Sequence, residues 1–77
     1  MCFDYSALTG RIVEKFGSRQ AFAYAIGLSE RSLSLKLNNK VGWKDREIFR
    51  AVDLLELEEK EIPAYFFNRE VQNNWTN

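Results

Sequence analysis

Glu30, Arg31, Ser32, Ser34 and Leu35 stand within one short stretch, and their side chains suit the reading of base edges. An arginine fork bonds bidentately to guanine, and a leucine touches a thymine methyl. Serine is short enough for close approach and bonds to bases or phosphates. Glu30 fits less easily, because phosphates repel a carboxylate unless it accepts from the cytosine amine. Its other role is that of an acid at a helix N-terminus, favoured by the macrodipole.

Other chemistries find little in the chain. One cysteine and no histidine among 77 residues exclude an internal disulfide and remove the usual zinc sites. No metal site and no cofactor are expected. Ser32 and Lys36 are four apart, a spacing common on any helix, and no Gly-rich phosphate loop accompanies them. The chain is therefore not expected to be an enzyme or to take a small-molecule substrate. The most apolar stretch, residues 21–28, is too short to span a bilayer. The N-terminus lacks the regions of a signal peptide. A lone thiol fits a reducing compartment, so a cytoplasmic protein without membrane contact is expected.

The chain has 11 basic and 11 acidic residues, yet the charge is unevenly placed. Residues 11–46 hold eight basic and three acidic side chains, a net +5, whereas residues 47–77 hold three and seven, a net −4. That asymmetry predicts a basic working face and an acidic back.

The elements that would position these residues are helices, since apolar residues recur at helical spacing and alternation rarely persists. A first helix is expected over residues 5–16, with Leu8, Ile12 and Phe16 on one face and Gly17 as its C-terminal cap. Ser18 is a good N-cap for a second helix over residues 19–26. Gly27 permits a sharp turn, and Ser29 caps a third helix over residues 30–37. Residues 41–43 form a loop, with Trp43 in the core or stapled to Ile48. A fourth helix follows over residues 45–56. Residues 58–62 make a short helix that Pro63 interrupts, and residues 64–67 make another turn. The tail, residues 68–77, is expected to fray. The whole is one all-α domain over 1–77, with its core in about 5–67.

Ala23, Gly27 and Leu33 belong together. The small Ala23 lets the third helix approach, Gly27 tolerates positive φ, and Leu33 plugs back between the helices. Phe22, Ile26 and Leu37 support them. This is the helix-turn-helix pattern, which places a reading helix at Glu30. The same three residues also suit a plain tight corner in a small bundle.

The stretch SRQAFAYAIGLSERSLSLKLNN, residues 18–39, resembles the Cro and CI-type repressors of bacteriophages, in the xenobiotic-response-element-like class. The phrase FAYAIGLSERSLSLKLNN and the ending EIPAYFF are similar to short phage and prophage proteins of that class. The resemblance spans about residues 8–67. It implies a four- to five-helix lambda-repressor-like helix-turn-helix domain that binds double-stranded DNA as a transcriptional regulator. It implies base reading by Glu30, Arg31 and Ser32, with Ser34 and Leu35 further along. Arg19 or Gln20 would reach a phosphate, and Lys36 and Asn38, Asn39 and Lys40 would meet the backbone. Ser18 and Ser29 stand at helix N-termini that can receive phosphates.

Members of that class act as homodimers on paired half-sites, which implies operator occupancy by a dimer here. Tyr65, Phe66 and Phe67 cannot all point inward on one short turn, so an apolar dimer contact is expected there. Zero net charge, Glu30 and an exposed Leu35 also suit another reading. In it, the same fold is a protein-interaction module, a modulator or antirepressor that binds another phage repressor.

Overall fold

The computed structural model describes residues 2–69. Five helices form in chain order: α1 (Ser6–Phe16), α2 (Arg19–Ile26), α3 (Glu30–Leu37), α4 (Asp45–Leu55) and α5 (Ile62–Phe66). A 3₁₀ turn (Glu59–Glu61) leads into α5. The fold is the expected all-α arrangement, with five helices among the described residues. Among the described residues the one strand-like pairing is an isolated antiparallel bridge between Phe3 and Arg69.

Local chemistry sets the helix ends. The Ser18 hydroxyl accepts the Ala21 amide at 3.1 Å, and the Ser29 hydroxyl accepts the Ser32 amide at 3.0 Å. Each bond satisfies one donor that a helix start leaves free. At the other end of α2, Gly27 takes φ 84°, and the Leu28 amide reaches back to the Ala23 carbonyl at 2.9 Å. That six-to-one bond closes a Schellman turn, which needs a left-handed residue at Gly27. The end of α4 closes the same way, with Glu56 at φ 57° and the Leu57 amide on the Val52 carbonyl at 2.9 Å. A glutamate there is strained. Its carboxylate pairs at the surface with the Lys15 ammonium, 2.9 Å away. The Arg11 guanidinium donates to the Leu55 carbonyl at 3.1 Å, another carbonyl that the helix end leaves free.

Pro63 does not interrupt a helix. It sits in the first turn of α5, where its missing amide hydrogen costs nothing and its fixed φ suits the helix. The fourth helix ends at Leu55, one residue earlier than its pattern suggests, because Glu56 turns left-handed. Residues 70–77, most of the tail expected to fray, lie outside the described residues.

The core joins α1 (Leu8, Ile12), α2 (Phe22, Ala23, Ile26), α3 (Leu33, Leu37), α4 (Ile48, Ala51, Val52, Leu55) and α5 (Phe66). Tyr5 closes one edge, and Trp43 and Leu28 pack half-buried against it. A domain this small has a thin core, so its rings matter. Phe22 meets Phe16 edge-on with centroids 5.3 Å apart, and Phe66 meets Trp43 at 5.2 Å. Among the described residues no helix is long and apolar enough to cross a membrane.

Candidate interaction face on the second and third helices

The turn Gly27–Leu28–Ser29 presents the starts of α2 and α3 on one side of the core. Leu33 is fully buried beneath them and fixes α3 against α2. Arg19, Glu30 and Ser34 rise around Leu33 and line a groove of about 80 Å³. A cation and a carboxylate thus flank one groove, with an apolar floor.

Of the residues expected to read bases, Glu30 and Arg31 are exposed, while Ser32 and Ser34 are half-buried. The Ser29 hydroxyl donates to the Ser32 hydroxyl at 3.0 Å, so Ser32 is partly engaged in the cap. Leu35 is half-buried and not exposed as its helical position suggests. After Asn39 the chain folds back, and the amides of Lys40 and Val41 both donate to the Leu35 carbonyl, at 2.9 and 3.3 Å. That reversal brings the following loop against Leu35. Ser18, Arg19, Gln20, Ser29, Asn38 and Lys40 are all exposed.

Two residues expected on the nucleic-acid backbone are engaged within the protein, Lys36 buried and Asn39 on the surface. Lys36 is 4% exposed. Its ammonium lies 2.9 Å from the Glu47 carboxylate, donates to the Gly42 carbonyl at 3.0 Å, and stands 5.9 Å from the centre of the Trp43 ring. Lys36 follows Leu33 by three positions and precedes Leu37 by one, so helix geometry turns it toward the core. A cation turned inward needs an acid within reach, and the half-buried Glu47 supplies it. Asn39 is the second correction. Its amide nitrogen donates to the Phe3 carbonyl at 2.9 Å, and its amide oxygen accepts the Phe3 amide at 2.9 Å. Asn39 also adopts φ 64°, a conformation that asparagine tolerates better than most residues.

Glu47 is the hub of this lock, and the sequence reading missed it. The same carboxylate oxygen that meets Lys36 also accepts the Lys44 amide at 2.9 Å, so it caps the start of α4. Burial works against its ionisation. The Lys44 amide and the Lys36 ammonium outweigh that and hold its carboxyl below the ordinary value. The signal in the sequence was an acid three residues into a helix whose cap, Lys44, has no acceptor of its own. The Trp43 indole nitrogen is buried beside this lock without a hydrogen-bond partner among the described residues.

The aromatic run near the C-terminus divides three ways. Phe66 is 1% exposed and belongs to the core, which removes it from any dimer contact. Five residues of α5 make little more than one turn, and the ring that faces inward fills the space beside Trp43. Tyr65 is half-buried, and Phe67 is exposed with one edge against Phe3, centroids 5.7 Å apart. Tyr24 and Phe49, which the sequence did not single out, are more exposed.

Among the described residues no group of three or more histidine, cysteine, aspartate or glutamate side chains is placed to hold a metal ion. The face holds polar and charged groups on a rigid helical corner, which suits recognition of another macromolecule.

The chain is similar to proteins already grouped or solved. No curated protein sequence matches it significantly. The solution structure of the modulator of repression of the temperate bacteriophage TP901-1 from Lactococcus lactis is 58% identical, with a TM-score of 0.78. The match covers 94% of this chain and 97% of that one. Residues 1–69 match the family model described as a protein of unknown function, DUF739, and the chain therefore belongs to that family.

Proposed function

We propose that this chain is a phage-type modulator of repression, a protein-interaction module that binds another phage repressor and changes its hold on DNA. The observation that carries this reading is the 58% identity to a modulator of repression over nearly the full length of both chains. The fate of Lys36 and Asn39 supports it. A helix that meets a DNA backbone needs free cations and amides along its end, because phosphate contacts supply most of the affinity. Here the buried pair removes one cation, and the clamp on Phe3 removes one amide. Glu30, exposed at the lip of the groove, adds a charge that phosphates repel and a basic protein surface attracts.

The interaction face comprises the exposed starts of α2 and α3: Ser18, Arg19 and Gln20 with Glu30, Arg31 and the half-buried Ser34. The partner is a repressor protein, and no membrane, cofactor or small-molecule substrate is called for. Kinship with the Cro and CI-type repressors is part of the same proposal, with the shared fold turned toward protein recognition.

The test is a titration of this chain against the repressor of the phage or prophage that carries it, with and without the operator. The expected result is a complex of micromolar or tighter affinity that shifts operator occupancy. Tight, sequence-specific operator binding by this chain alone, with no complex with the repressor, overturns it. That outcome would favour the second reading, in which the exposed Arg31 at the start of α3 reads a base edge in a Cro-like regulator.

A further inference from the structure

The segment of Phe3 and Asp4 is held along both edges by parts of the chain remote in sequence. On one edge the Asn39 side chain accepts the Phe3 amide and donates to the Phe3 carbonyl, each at 2.9 Å. A side-chain amide offers both an acceptor and a donor, so Asn39 stands where a neighbouring strand would. On the other edge the Asp4 amide donates to the Asn68 carbonyl at 2.6 Å, and Phe3 pairs with Arg69 in the antiparallel bridge. Asn39 belongs to the turn that ends α3, and Asn68 follows α5. The Phe3 ring is half-buried against the core, edge-on to Phe67 with centroids 5.7 Å apart. The next residue but one, Tyr5, is buried and anchors the segment to the core.

We propose that this segment is a strap that opens and closes as one unit while the core stays folded, and that it ties residues 67–69 to the turn at the end of α3. The deciding element is the peptide group between Phe3 and Asp4. Its carbonyl bonds to Asn39 and its N–H bonds to Asn68, and a peptide group is rigid and planar. A tilt that breaks one bond therefore misaligns the other. The strap opens more easily than the core, because both Asn39 bonds are exposed and Phe3 supplies its single ring. Asn39 adopts φ 64°, a conformation that persists only where the surroundings hold it. With the strap open, that turn loses its clamp and is free to relax. A change at residues 67–69 is in this way felt at the end of α3. The strap uses none of the residues of the α2–α3 face, and its test is independent of what that face binds.

Amide exchange with water in the full chain, read residue by residue by NMR, tests the strap. In the parent, the Phe3 and Asp4 amides are expected to share one protection factor, within about threefold, and to lie at least about tenfold below Leu33 in the core. Asn39→Gly keeps the backbone of the turn free and removes only the clamp. It lowers protection of the Asp4 amide by about fivefold, although the Asn68 carbonyl that this amide meets is untouched. Phe67→Ala acts from the other side and lowers protection of the Phe3 and Lys40 amides by about threefold. Both substituted positions are exposed, and unchanged circular dichroism confirms that the variants fold. An Asp4 amide indifferent to Asn39→Gly means two independent edges and overturns the proposal. So does a Phe3 or Lys40 amide indifferent to Phe67→Ala. Strap amides as protected as Leu33 overturn it too, because the segment then opens only with the whole domain. Strap amides without protection overturn it by showing that the strap does not close.

Discussion

The two ends of α3 differ in what surrounds residues of similar type. At its start Glu30 and Arg31 are exposed, and no ion pair among the described residues holds them. At its end Lys36 is closed in between Glu47, the Gly42 carbonyl and Trp43, and just past it the Asn39 amide is bonded at both ends to Phe3. A cation on a helix is therefore not by its presence a cation on a surface. The start of α3 carries its charges unpaired among the described residues, and its end fixes the loop and the N-terminal segment that hold it in place.

The largest effect separating the two ends is expected from Lys36→Met. It leaves the half-buried Glu47 carboxylate without its cation and costs about 3 kcal/mol of stability, read by urea denaturation. The double variant Lys36→Met/Glu47→Leu recovers much of that loss, apart from the α4 cap that Glu47 also makes. A loss below about 0.5 kcal/mol for Lys36→Met would mean the pair is not closed in solution. Next comes Asn39→Ala, which removes both bonds to Phe3 and places alanine at positive φ, for about 2 kcal/mol. Asn39→Gly keeps the backbone free and isolates the two hydrogen bonds. Asn38→Ala, one residue earlier, should stay within about 0.5 kcal/mol.

Acid probes the same lock. The Glu47 carboxyl is held below its ordinary 4.5 by its partners, so its contribution is fully present above that value. It is lost as pH falls through the lower folded value. Thermal melts across the acid range should therefore show the parent weakening below pH 4.5, and Glu47→Gln should flatten that slope. A slope unchanged by Glu47→Gln would assign the acid sensitivity elsewhere. The smallest effect on stability belongs to Arg31→Ala, within about 0.5 kcal/mol, although it should weaken partner binding by about tenfold. Unaltered binding would remove Arg31 from the interaction face.

The contrast between the ends also marks what the sequence made legible. The bounds of α2 and α3 were readable because their signals are local: Ser18 and Ser29 cap the helices, and Gly27 makes the turn between them. The candidate face at Arg19, Glu30 and Arg31 followed from those bounds. Lys36 was misread because its partner lies 11 positions away on another helix, and spacing within α3 does not show it. Asn39 was misread for the same reason, since its partner Phe3 is 36 positions away. Phe66 and Phe67 are neighbours in sequence, and only the packing beside Trp43 and Phe3 tells them apart. Pro63 was read as a breaker because the start of α5 carries no side-chain cap to announce it.

Trp43 gives the molecule a built-in optical reporter. Its ring lies near both the Lys36 ammonium and the Phe66 ring, with its indole N–H out of water. Its emission should be blue-shifted in the folded state, and a cation so near the ring should shift it further or quench it. Replacing Trp75 by phenylalanine would leave Trp43 as the single emitter, since the chain has two tryptophans. Whatever displaces the end of α3, whether acid, denaturant or a bound partner, would then register as a change in colour without any added label.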